Sequence, residues 1–195
     1  MSELTEEKLE EKDWDLVRAH VSGDPEAFRK IYEKYHRKIF ASSFRIIGEE
    51  EQAADLTSEV FLKIYNELRS FKFESKLSTW LFRVAVNHAI NKANENRRHT
   101  RIREKIEKEG LRPKGGTREG KPIDEEIHRA IQVLSPKLRA IVSLRYLEGL
   151  SYDEMADLLD VSLGTVKSRL FLAHETLRPL LNGISLSRRE EDHEL

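Results

Sequence analysis

Helical spacing of the apolar residues, capping signals at the start of nearly every apolar run, and a charged stretch with glycines and prolines between two such halves predict an all-α fold. The fold class expected is two small helical domains joined by a flexible linker. A hydrophobic content of 38% beside a charged content of 35% suits two small cores better than one broad one. The boundaries expected are an acidic N-terminal tail over 1–12, a first helical domain over 13–98, a linker over 99–122, a second helical domain over 123–182 and a C-terminal tail over 183–195.

Asp13 to Val21 reads as a short helix with Trp14 and Val17 inward. Asp24-Pro25-Glu26 then opens a second helix: an Asp cap, proline at the first helical position and an acid in the first turn. Phe28, Ile31, Tyr32, Tyr35, Ile39 and Phe40 stand at core spacing along it, and Gly48 ends it. The third helix, Glu49 to Leu68, has Ala53, Leu56, Val60, Ile64 and Leu68 on one face, widened by Phe61 and Tyr65. Glu49, Glu50 and Glu51 complement its N-terminal dipole. Asp55 and Glu59, one turn apart, are left as an exposed acidic ridge suited to a basic partner.

A loop over 70–78 follows, carrying Phe71, Lys72, Phe73 and Lys76. The fourth helix, Thr79 to about Arg98, is apolar over most of its circumference. Arg83, Asn87, Asn91 and Asn94 project as one polar stripe beside Trp80. Asparagine is a poor helix former, so three on one stripe need a reason. Arg and Asn are also the side chains whose forks match guanine and adenine edges. Residues 79–122 hold twelve basic against five acidic residues, although the whole chain carries a formal charge of only −1. Fully extended, the 24 residues of 99–122 would reach on the order of 80 Å.

Beyond the linker, Asp124 is expected to cap a helix to Leu134, and Ser135-Pro136 to open another to Leu147. The most informative stretch is Leu150 to Arg178, LSYDEMADLLDVSLGTVKSRLFLAHETLR. Ser151 and Glu154 form an S-x-x-E capping box, and the helix they start turns Met155, Leu158 and Leu159 inward. Asp160-Val161 breaks it and Ser162 caps the next. Val166, Leu170, Ala173 and Leu177 share the buried face of that second helix, with Gly164, Lys167, Ser168, Phe171 and Glu175 opposite. Such a pair has the form of a helix-turn-helix whose second helix suits a major groove.

Composition excludes several classes. The chain has no cysteine, which rules out disulfides, thiolate metal sites and a thiol nucleophile. Its seven histidines (His20, His36, His88, His99, His128, His174 and His193) show no metal-like pairing, and no nucleophile–base constellation is visible. No catalytic residue, cofactor or metal site is expected. Neither a membrane-length apolar run nor a signal-peptide pattern is present, so a cytoplasmic protein without membrane insertion is expected. A near-zero net charge argues against coating DNA by electrostatics alone.

Two segments together resemble bacterial RNA polymerase sigma factors of the extracytoplasmic-function type. GDPEAFRKIYEKY, ADLTSEVFLKIY and LSTWLFRVAVN resemble the region-2 domain, and LSPKLRAIVSLRYLEGLSYDEMADLLDVSLGTVKSRLFLAHETL the region-4 domain, in that order. The resemblance implies that Asp55, Leu56, Glu59, Val60 and Phe61 dock on the clamp helices of the polymerase β′ subunit. It implies that Phe71 and its loop, with Lys72, Lys76, Thr79, Trp80, Arg83 and Asn87, hold the melted −10 strand. Gly164, Thr165, Lys167, Ser168, Arg169 and Phe171 would read the −35 duplex, and the β flap would be a second contact with the polymerase. An anti-sigma factor is an expected partner, and the free protein is expected to be a monomer. Ser58 departs from the usual glutamine of the docking helix, and Leu172 from a frequent arginine of the recognition helix. The resemblance implies no role for Asn91 and Asn94.

Two other readings compete. A stand-alone helix-turn-helix regulator would be a symmetric dimer on paired half-sites. The Phe71 loop, the Asn87 stripe and the basic linker speak against it. An enzyme would need the constellation that the sequence lacks.

Overall fold

The computed structural model describes the backbone of residues 6–107 and 122–191, and the side chains of residues 12–100 and 127–181. These residues form eight α-helices and one 3-10 turn, without a strand. The order is α1 (Glu6–Val21), α2 (Pro25–Ile47), α3 (Glu50–Glu67), the 3-10 turn Leu68–Ser70, α4 (Leu77–Glu107), α5 (Pro122–Val133), α6 (Pro136–Tyr146), α7 (Tyr152–Leu159) and α8 (Leu163–Glu191). Two compact units result, one spanning Met1–Phe44 and Glu49–Ala89, the other Arg45–Gly48 and Ile90–Leu195.

In the first unit, α1 to α4 bury one stripe each. Val17, Ile31, Ile39, Leu56, Val60, Ile64, Leu81 and Val86 are almost fully enclosed. Each such aliphatic side chain contributes about 1.5–3 kcal/mol relative to exposure. Asp24 starts α2 as expected, its Oδ1 accepting from the Glu26 N–H at 2.9 Å. Gly48 follows the end of α2 at φ +90°, a conformation cheap only for glycine. A polar tie joins α1 to α2: the buried Asp13 accepts from the Tyr35 hydroxyl at 2.5 Å and pairs with Lys34 at 2.6 Å. Burial, and then this carboxylate, push the Tyr35 hydroxyl well above the usual tyrosine range.

The second unit is built on α6, α7 and α8. Leu138, Ile141, Leu144, Met155, Leu158, Val166, Leu170, Ala173 and Leu177 make its core. Arg139 is buried, and its guanidinium finishes the α5–α6 turn by donating to the carbonyls of Leu134 at 3.0 Å and Gln132 at 3.1 Å. Burial lowers its pKa to about 10.

Three helices outrun their expected ends. The backbone of α1 is helical from Glu6, because EEKLEEK, its first seven residues, contains only good helix formers. The backbone of α4 continues past Arg98 to Glu107, since no glycine or proline interrupts HTRIREKIE. That of α8 passes through Pro179 and continues to Glu191, over residues expected to be a tail. Within a helix, proline forfeits one backbone hydrogen bond and costs about 3 kcal/mol. The expected cap at Asp124, the linker residues 108–121 and the two ends of the chain, 1–5 and 192–195, lie outside the described residues or side chains. Tyr32 and Tyr65, expected at core spacing, are exposed instead, packed by their ring edges on Phe61 and Phe28 respectively.

Candidate nucleic-acid and partner interfaces

The helix-turn-helix is assembled from short-range contacts. The Ser151 Oγ accepts from the Glu154 N–H at 3.2 Å, while the Glu154 carboxylate accepts from the Ser151 N–H at 2.8 Å. This reciprocal box satisfies two backbone donors at the start of α7. Asp160 closes α7 in the left-handed region, φ 52° and ψ 54°, one of the few non-glycine types that tolerate it. The Ser162 Oγ then accepts from the Thr165 N–H at 3.2 Å and caps α8. Four residues expected to bury one face of α8 do so: Val166, Leu170, Ala173 and Leu177. The opposite face presents Gly164, Lys167, Ser168 and Phe171 to solvent, with Thr165 and Arg169 half-buried beside them. The Ser168 hydroxyl donates back to the Thr165 carbonyl at 3.1 Å. Phe171 is 67% exposed and Leu172 54%, an adjacent apolar pair at the surface.

On α3 the expected docking set divides. Asp55 and Glu59 are exposed on one face, but Leu56, Val60 and Phe61 are buried in the core of the first unit. Those three pack beneath the ridge and seat the helix whose outer face carries Asp55 and Glu59. Leu62, 66% exposed, continues that outer face. It lies seven residues after Asp55, at helical spacing with Ser58 and Glu59, a signal present in the sequence but masked by its apolar type. The Ser58 hydroxyl donates to the Ala54 carbonyl at 3.1 Å and so remains close to its own helix.

The start of α4 and the loop before it form a third surface. Lys72, Arg83, Asn87 and Asn91 are exposed, while Lys76, Thr79, Trp80 and Asn94 are half-buried. The stripe expected on α4 is thus present at the surface. Glu95, the one acid between Leu77 and Thr100, lies off the stripe and within 4.0 Å of Lys92 and 3.7 Å of His99. Phe71 is buried, packing edge-on against Trp80 at 5.7 Å and Phe73 at 5.0 Å. Its ring forms the floor beneath the loop, not a free stacking platform.

Phe73, named from the sequence only as a loop residue, has a structural part that its sequence did not signal. Its φ of 58° is rare for an aromatic residue, and such backbone strain costs of order 1–3 kcal/mol. Trp14 meets its ring edge-on at 6.0 Å and the Arg18 guanidinium lies 5.2 Å from its centroid. Among the described residues no cluster of three or more His, Asp or Glu is placed to hold a metal ion, and no helix is long and apolar enough to cross a membrane.

Comparison with known proteins gives these surfaces a context. The family model of sigma-70 region 2 matches residues 31–99, and that of sigma-70 region 4 matches residues 124–177. The RNA polymerase sigma-H factor of Pseudomonas aeruginosa is 33% identical over a 195-residue alignment covering 88% of this chain and 97% of that protein. The ECF RNA polymerase sigma-E factor of Escherichia coli K12 is 33% identical over 173 residues, covering 83% and 90%. Among solved structures, the sigma factor RpoE in complex with the anti-sigma factor NepR from Bartonella quintana superimposes with a TM-score of 0.62 at 23% identity, covering 80% of this chain and 96% of that one. CnrH in complex with the cytosolic domain of CnrY gives 0.65 at 21% identity, covering 88% and 98%. At such identities these two share the fold.

Proposed function

This chain belongs to the sigma-70 family of bacterial RNA polymerase sigma factors, in its extracytoplasmic-function branch, and from that membership we propose how its surfaces divide the work. As a sigma factor it directs core RNA polymerase to promoters; such factors are not themselves catalysts. Asp55 and Glu59, with Leu62 beside them, dock on the β′ clamp helices, while the second unit engages the β flap. Lys72, Lys76, Thr79, Trp80, Arg83 and Asn87 hold the melted non-template strand of the −10 element over the floor made by Phe71. Extruding a base costs a few kcal/mol, offset by stacking and edge contacts. Gly164, Thr165, Lys167, Ser168, Arg169 and Phe171 read the −35 duplex from the first turns of α8. Leu172 cannot donate to guanine, so at that point the −35 sequence either differs from one suited to arginine or is read more weakly.

The domain boundaries proposed remain 13–98 and 123–182. The free protein is a cytoplasmic monomer, held by an anti-sigma factor until released. Its net charge of −1 suits a subunit that borrows most phosphate contacts from the polymerase, so free binding to promoter duplex is weak and rises steeply with core enzyme. The observation that carries the reading is the ordered pair: region 2 over 31–99 followed by region 4 over 124–177 in one chain.

Run-off transcription on genomic fragments with purified core polymerase tests it. Discrete start sites that depend on this chain are expected. Identical transcripts with and without it, together with failure to isolate a complex, would overturn the reading. Asp55→Lys with Glu59→Lys should weaken core binding by roughly tenfold or more, while leaving the melting curve within about 0.5 kcal/mol of wild type.

A further inference from the structure

We propose that α1, through Trp14 and Arg18, traps Phe73 in its left-handed backbone conformation and thereby sets base discrimination by the loop between α3 and α4. The inference rests on the −10 reading above and adds to it an element outside the matched region-2 residues, which begin at 31.

Two backbone hydrogen bonds flank the loop. The Phe71 N–H donates to the Leu68 carbonyl at 3.2 Å, closing the 3-10 turn, and the Trp80 N–H donates to the Lys76 carbonyl at 3.2 Å within the first turn of α4. Between these two bonds lie Lys72 to Ser75, and Phe73 adopts φ 58° among them. An aromatic residue does not choose that conformation for local reasons, because its Cβ crowds the following carbonyl oxygen. A residue held there is over-determined by its surroundings, and here those surroundings are visible. Trp14 stands against the Phe73 ring on one side at 6.0 Å and Phe71 on another at 5.0 Å, both edge-on. Arg18 lies over it at 5.2 Å, itself held by an ion pair with Asp15 at 2.9 Å.

Trp14 and Arg18 lie four residues apart, so α1 presents them from one face as a two-point grip. Val17, fully buried, and Asp13, tied to Tyr35 and Lys34, anchor the same helix in the core. The grip is thus seated on a helix tied into the core, and on this proposal it holds the loop in one conformation. A loop fixed before DNA arrives does not spend binding energy on ordering itself, and it rejects a wrong base more sharply than one that adapts. Trp14 and Arg18 are positioning residues on this account, and neither needs to touch DNA.

The test uses the full chain assembled with core polymerase, on the promoter found in the run-off assay and on versions with each −10 base replaced in turn. The readout is the ratio of open-complex formation on the original promoter to that on each replacement. Phe73→Gly takes φ 58° freely while deleting the gripped ring, so the fold survives and the grip is lost. This variant and Trp14→Ala should each lower the ratio about tenfold at one or more −10 positions, with core binding changed less than twofold. Trp14→Phe, which keeps an aromatic edge, should restore most of it, and Arg18→Met should give a smaller loss. Should Trp14→Ala fail to fold, Phe73→Gly and Arg18→Met decide the matter. An unchanged ratio in Phe73→Gly overturns the proposal, as does a loss of core affinity with discrimination intact, which would mark Trp14 as packing alone. If the wild-type chain supports no run-off at all, the promoter reading fails first and this inference with it.

Discussion

Two inter-helix joins in this protein do comparable jobs by opposite means. The turn from α7 to α8 and the loop from α3 to α4 each aim a helix that we propose faces DNA. The first is held by its own residues: Ser151 and Glu154 fasten one end, Asp160 makes the reversal and Ser162 starts the next helix. The second is held partly from elsewhere: besides its own Phe71, it leans on α1, two helices earlier in the chain. A locally determined join keeps its geometry wherever its module is carried. A remotely determined one depends on the integrity of its whole unit, and can be altered from a distance.

Stability measurements can break or sharpen that contrast. The largest effect belongs to the shared dependence on packing: Leu158→Ala, at a position 1% exposed, should cost about 2–5 kcal/mol by urea denaturation and loosen the α7–α8 pair. Next comes the remotely held loop. Phe73→Ala keeps the left-handed strain while losing the ring, whereas Phe73→Gly relieves it. The alanine variant should therefore be the less stable of the two by about 1–2 kcal/mol. Equal stabilities would mean that φ at this position relaxes once the ring is gone. The smallest effects lie in the local join. Ser151→Ala should cost about 1 kcal/mol through the lost cap. Asp160→Gly should move the melting midpoint slightly upwards, because glycine meets no Cβ penalty at φ 52°.

The same contrast explains what was legible in the sequence. Caps, turns and apolar stripes act over three or four residues, so the α7–α8 pair could be read almost atom by atom from Ser151 to Leu177. The polar stripe of Arg83, Asn87 and Asn91 was legible for the same reason, being one face of one helix. Long-range relations were not. Nothing local announces that Asp13 meets Tyr35, that Arg139 is buried against the carbonyls of the α5–α6 turn, or that Trp14 and Arg18 close on Phe73. A left-handed phenylalanine is invisible because its usual sequence marks, glycine and asparagine, are missing. The two sides of α3 were legible from spacing alone: Leu56, Val60 and Phe61 are buried, as their apolar face implies, while Asp55 and Glu59 stand exposed. Helix ends were underestimated where no breaker stands, as in α1 and α4.

The two-sidedness of α3 has an evolutionary corollary. Its inward residues are committed to the core, whereas Asp55, Ser58, Glu59 and Leu62 carry no packing duty. Mutational drift across that outer strip is nearly free of folding penalty, so affinity for a partner can be retuned one substitution at a time.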